Sequence, residues 1–309
     1  MQDYLSHSIA SLNQNKLYGL LAEVEFRAYL TGLGYGGQVS VGGWVARSTS
    51  NGANRFGQNT IVIFPEIIQP GNVYLPGGVL PSPPAGLHTI CAAFHSIGIQ
   101  SYYLYPQITR LNDSSSISWT ATQLGLLTAP QTAFPSSTLT GFLPRARRYN
   151  FLKNNTSVSS IPHHAVPDEF SKEHARVALQ SAFMTEISDV DGVFWGRQHT
   201  YPVEIKEKTA AYDKKIGHYF GLDHSPFVKL TFFAAMKGMM KSIFVVREID
   251  NTTTRDLVQW WFITFEDMAR YASWSPRGGG RNMGGGTSST VMIPKDYFLP
   301  LNAKNLATL

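Results

Sequence analysis

The stretch Ser188-Asp-Val-Asp-Gly-Val-Phe-Trp195, followed after a short connection by Tyr201-Pro-Val-Glu-Ile-Lys-Glu-Lys208, decides how the chain is read. In both halves apolar and β-branched residues alternate with charged ones, the pattern of short strands, and Gly196–Thr200 joins them. Side chains alternate at period two, so Asp189, Asp191, Val193 and Trp195 are expected on one face of the first strand. Glu204, Lys206 and Lys208 share one face of the second, and Val203 and Ile205 point the other way into a core. Paired as a hairpin, the strands bring an aspartate beside a glutamate and a lysine. Adjacent carboxylates repel unless a cation sits between them, and such hard oxygen ligands suit Mg²⁺. A lysine two residues on, on the same face, can orient or polarise a water. The competing reading is a solvated hairpin with its charges outward.

An Asp in one strand and Glu-x-Lys in the next resembles the PD-(D/E)xK nuclease superfamily, and the residues that carry the resemblance are Asp191, Glu204 and Lys206. It covers roughly residues 165–265, about a third of the chain. The resemblance implies an α/β (α+β) restriction-endonuclease-like core, a mixed central β-sheet flanked by helices. It further implies metal binding by Asp191 and Glu204, with Lys206 acting on the water. Mg²⁺ is the expected ion and Mn²⁺ a substitute. Asp189 is the alternative carboxylate if the register differs by one pair.

Asn15 to Leu33 reads as an amphipathic helix with Leu17, Leu20, Leu21, Val24 and Ala28 at helical spacing, ended by Gly32 or Gly34. Gly19-Leu-Leu-Ala-Glu23, then Leu30, Gly34 and Tyr35, is similar to the first helix of several nucleases of this superfamily, in which a glutamate helps hold the metal. Glu23 is the matching residue and Glu25 the fallback. A second helix is expected from Pro167-Asp-Glu-Phe, with Pro in its first turn and acids near its positive end. It directly precedes the Asp191 strand, so Glu169 and Glu173 compete with Glu23.

Composition bounds the rest. The chain has 309 residues, 43% of them hydrophobic, and a net charge of +5. That is enough for one large domain or two small ones, and it permits contact with phosphates. No run of about 18 apolar residues suggests a membrane span, and the first residues lack a signal-peptide layout; a cytoplasmic location is expected. The single cysteine, Cys91, excludes an internal disulfide and reads as an apolar filler.

The domains expected are 1–160, an N-terminal elaboration serving recognition or dimer contacts, and 161–309, the catalytic core. In the first, strands are read at Gln38–Val45, Thr60–Phe64 and Gln100–Tyr105, with a helix at Leu87–Ile97. Arg145, Arg147 and Arg148 lie among aromatics in a segment suited to phosphates and bases. In the second, a helix is expected at Pro226–Met240 and strands at Ser242–Arg247 and Leu257–Thr264, with a helix over Phe265–Tyr271. Lys214, Lys215 and His218 follow the Glu-x-Lys strand closely enough to line a DNA-facing cleft, and Lys208, one pleat beyond Lys206, is expected to contact a neighbouring phosphate. Ser275–Gly286, with six glycines, is read as a mobile loop carrying Arg277 and Arg281.

The function expected is a Mg²⁺-dependent endonuclease hydrolysing double-stranded DNA. A type II restriction endonuclease working as a homodimer is favoured by the large N-terminal portion. The alternatives are a non-catalytic DNA-binding protein of nuclease-like fold and a repair or junction-resolving nuclease. No Gly-x-Ser-x-Gly or His-Glu-x-x-His points to another hydrolase.

Overall fold

A computed structural model describes residues 14–49, 56–66, 83, 85–108, 117–124, 132–133, 172, 175–176, 179, 186–236, 240–281 and 287–309. It is a mixed α/β structure with mixed sheets and few helices. By contacts the chain divides into Met1–Leu20 with Val41–Val190, and Leu21–Ser40 with Asp191–Leu309. This differs from a single boundary at 160. Strand pairing draws Glu186–Val190 into the first unit, and the apolar face of the N-terminal helix, α1 (Gln14–Gly32), draws Leu21–Ser40 into the second.

The first unit holds a six-stranded sheet. Its strands are β1 (Gly43–Thr49), β2 (Phe56–Pro65), β3 (Gln100–Ile108), β4 (Ile117–Leu124), β5 (Thr132–Ala133) and β6 (Glu186–Val190), in the order β5-β4-β3-β2-β1-β6. All neighbours are antiparallel except β2 and β3, which the helix α2 (Ala85–Ser96) links in parallel. Parallel neighbours need such a crossover because a tight turn can only reverse the chain. Cys91 is fully buried on α2, and burial pushes its thiol up to about 12, as befits a filler.

The second unit is built on a five-stranded sheet. Here β7 is Gly192–Trp195, β8 Thr200–Lys208, β11 Ile243–Ile249, β12 Leu257–Thr264 and β15 Leu299–Pro300, in the order β15-β12-β11-β8-β7. β7 and β8 are antiparallel, whereas β8 and β11 are parallel. Between β8 and β11 run β9 (Ala211–Asp213), β10 (Gly217–Asp223) and the helix α3 (His224–Ala235). The expected strand-helix-strand crossover therefore contains two more strands. These join β14 (Thr287–Pro294) and β13 (Arg277–Arg281) in a second, four-stranded sheet.

Alternation along β8 separates two cores. Val203 and Ile205, with Ile243, Val245, Trp260 and Phe262, pack against Ala22, Phe26 and Leu30 of α1. The stripe expected on α1 included Ala28, which is exposed. Phe26 offers more area than Val24, and Ala22 lets the helix approach closely. The helix ends where Tyr35 N–H donates to the Leu30 carbonyl (2.8 Å) and Gly34 N–H to that of Thr31 (3.0 Å). Gly34 has φ +87°, a left-handed conformation costly for residues with a Cβ. On the opposite sheet face, Phe244, Val246 and Ile263 pack against Leu230 of α3, Met268 of α4 (Phe265–Tyr271) and Phe220, Leu222 and Ile293 of the second sheet. α4 occupies the expected residues, and its Thr264 cap accepts from the Asp267 N–H.

Two expectations are corrected. Ser188–Trp195 is two strands rather than one: Val190 pairs with Gly43 in one sheet and Gly192 with Val203 in another, so pairing changes at Asp191. The glycine-rich segment begins as a strand, because Arg277–Arg281 pairs with β14 through its backbone. Residues 282–286 lie outside the described residues.

Candidate active site

β8 aims Glu204, Lys206 and Lys208 at the face shared with Phe244 and Val246, since its parallel partner sets Phe244 beside Glu204 and Val246 beside Lys206. Glu204 is 2% exposed. Its Oε1 lies 2.6 Å from Lys206 Nζ, and its Oε2 lies 2.6 Å from Lys229 Nζ. The side chain of Lys206 is 32% exposed and that of Lys229 only 10%. Lys229 comes from α3, whose placement against the start of β11 is fixed by Ser242 Oγ donating to the Leu230 carbonyl (2.9 Å). Despite the short distance to Lys229, Glu204 Oε2 receives no aligned hydrogen bond. Burial alone would raise the Glu204 pKa; the Lys206 and Lys229 ammoniums outweigh it and hold the carboxyl below its ordinary value.

Asp191, 4% exposed, stands where β7 begins. Its N–H donates to the Val203 carbonyl (3.2 Å), and its Oδ2 accepts from the Ile205 N–H (2.7 Å). The carboxylate thus continues the β7–β8 ladder one step past the last paired backbone, on the residue between Glu204 and Lys206. The structure therefore brings together Asp191, Glu204 and Lys206, and adds Lys229. Sequence reasoning missed Lys229, whose only signal is a lysine inside the apolar run Pro226-Phe-Val-Lys-Leu-Thr-Phe-Phe233.

Lys208 lies one pleat further along the same face. Burial pushes its ammonium below the ordinary lysine range, offset in part by Asp223. Asp189 belongs to β6 in the first unit's sheet, a different sheet from that of Glu204. Glu25 pairs with Arg247 on the α1 side of the sheet, opposite Glu204. Glu23 is half-buried on α1, and among the described residues no three His, Cys, Asp or Glu side chains converge as a ligand set. Glu169, Glu173, Arg145, Arg147 and Arg148 lie outside the described residues, as does the side chain of Arg281. Lys214 and Lys215 are exposed in the β9–β10 turn. Arg277 is paired with Asp213 (2.8 Å), linking the two edge strands of the four-stranded sheet.

The donor chemistry fits a hard divalent cation. Two carboxylates come from adjoining strands, and one of their oxygens is buried without an aligned donor; Mg²⁺ commonly takes one or two carboxylates and completes its shell with water or phosphate. Among the described residues no helix is long and apolar enough to cross a membrane. The chain matches no protein-family model, no curated protein and no solved structure.

Proposed function

We propose that the second unit is the catalytic core of a Mg²⁺-dependent endonuclease of the restriction-endonuclease-like type, hydrolysing phosphodiester bonds in double-stranded DNA. One observation carries the reading: where β7 and β8 stop pairing, the Asp191 carboxylate is anchored to the amide of Ile205, the residue between the paired Glu204 and Lys206. Asp191 and Glu204 would hold the ion, which when bound supplies Lewis-acid polarisation of a phosphate and a more acidic water. Lys206 pairs with Glu204 and is partly exposed, so its ammonium is a donor able to orient a water and to neutralise charge building on phosphate oxygens. Lys208 stands ready for a neighbouring phosphate, and Lys214 and Lys215 extend positive charge into solvent. A sequence-specific enzyme cutting both strands would work as a homodimer, since two-fold symmetry in the protein matches a palindrome.

A second reading is favoured by Lys229. Glu204 is already neutralised by two ammoniums, which is what a metal-free phosphate-binding module would show. Plasmid cleavage separates the two. With Mg²⁺ the parent protein is expected to give discrete fragments, EDTA to abolish them, and Lys206→Ala to slow cleavage on the order of 10²-fold or more. A parent that retards DNA on a gel regardless of metal and nicks nothing assigns the protein to the binding class.

A further inference from the structure

We propose that Lys229 is a displaceable counter-ion: its ammonium holds the side of Glu204 that a divalent cation would take, so ion binding and the Lys229–Glu204 pair exclude one another. The proposal rests on the endonuclease reading and concerns the same site. A carboxylate as buried as Glu204 needs a cation beside it, because an uncompensated charge in the interior is strongly unfavourable. Lys206 covers Oε1 and Lys229 covers Oε2, each at 2.6 Å.

The two partners are not equivalent. Lys206 shares a strand with Glu204, two residues away, and is partly exposed; its ammonium can stay where it is while facing solvent or phosphate. Lys229 arrives from the helix, is nearly enclosed, and meets an oxygen to which it makes no aligned hydrogen bond. An ammonium on a four-carbon stem is a point charge with no fork to lock it. Its hold on Glu204 rests chiefly on opposite charge, the component a doubly charged ion replaces best.

Charge balance sets the direction. Without an ion, Asp191 and Glu204 cancel Lys206 and Lys229. Adding a dication while both lysines remain would leave two uncompensated positive charges beside a third, on Lys208. Withdrawing Lys229 relieves half of that and releases an ammonium on the face where a phosphate would lie.

The test is calorimetric titration of Mg²⁺, and of Ca²⁺, into the full chain without DNA. Lys229→Met keeps the apolar stem and removes the charge; it is expected to bind the ion about tenfold more tightly than the parent. Glu204→Gln is expected to lose binding. If Glu204→Gln loses binding but Lys229→Met binds no better than the parent, the competition is wrong and the metal reading stands. If folded parent and folded Lys229→Met both bind neither ion, the metal reading falls and takes the competition with it. A measurement on the parent guards against a variant that does not fold: amine-specific labelling of Lys229, read by mass spectrometry, should rise when Mg²⁺ is added. Labelling that does not change overturns the proposal.

Discussion

Glu204 and Glu207 stand three residues apart on β8, point to opposite faces of one sheet, and are each buried against two cations. Their partners differ in kind. Glu207 accepts from Arg247 Nη1 (2.9 Å), from Arg255 Nε (2.8 Å) and from Arg255 Nη2. Arg247 is held in turn by Glu25 and by the Arg255 carbonyl. Planar guanidinium forks fix both oxygens of Glu207 by direction as well as by charge. The cluster is rigid enough to keep Arg255 at φ 57°, a left-handed conformation that costs a side-chain-bearing residue roughly 1–2 kcal/mol. Glu204 has point charges instead, one of them unaligned. The arginine cluster is fixed by directed bonds and the lysine cluster is held by charges on flexible stems, and one strand carries both.

The largest expected effect tests that contrast directly. Glu207→Gln leaves Arg255 without its carboxylate and Arg247 with only the half-exposed Glu25, and should destabilise the protein by about 3 kcal/mol, read as a lowered denaturant midpoint. Glu204→Gln should cost clearly less, because the ammonium of Lys206 is partly solvated and that of Lys229 is on a flexible stem. Equal losses would erase the distinction between the two faces.

A smaller effect is expected from Gly196→Ala, which probes packing on the α1 side of the sheet. A Cβ there would collide with the main-chain oxygen of Leu309 and crowd the Tyr201 ring, and Leu309 and Tyr201 belong to the α1-side core. A loss of about 1–3 kcal/mol in thermal or chemical unfolding is expected, since a packed backbone yields poorly.

The smallest effect belongs to Lys208 on the Glu204 face. Burial lowers its pKa in the folded protein, so at neutral pH the charged amine is carried at a cost, and the unfolded chain holds its proton to higher pH than the folded one. Stability therefore rises with pH between the lowered folded value and the ordinary 10.5. Lys208→Met should raise the melting temperature slightly at pH 7, and its advantage should shrink as pH climbs through that window. An advantage that grows with pH would reverse the sign and place the ammonium in a favourable setting.

Much of the second unit's sheet is legible in the residues. Leu257–Thr264 and Phe265–Tyr271 have the expected limits because Thr264 both ends an apolar run and caps the helix after it. The alternation of Val203 and Ile205 against Glu204 and Lys206 marks the two faces of β8 directly. The break at Asp191 is not legible, since Asp-Val-Asp-Gly-Val keeps its period while the backbone changes partners, and only pairing reveals that. Arg277–Arg281 reads as a loop because glycines carry no face to read; its pairing with β14 is made by main-chain groups alone. Of the candidate site, Asp191, Glu204 and Lys206 lie on neighbouring stretches of one hairpin, so local geometry suffices to place them. Lys229 escapes such reasoning, because its meeting with Glu204 depends on how a helix lies across a sheet.

The hydrogen bond from the Ile205 amide to Asp191 makes that backbone proton a witness to the carboxylate. Because its acceptor is a side chain rather than a paired strand, its chemical shift and its protection from solvent respond to the state of that carboxylate. Whatever Asp191 binds or releases is written onto the amide of a neighbouring core residue, and the protein carries its own isotopic probe of an acid that has no chromophore.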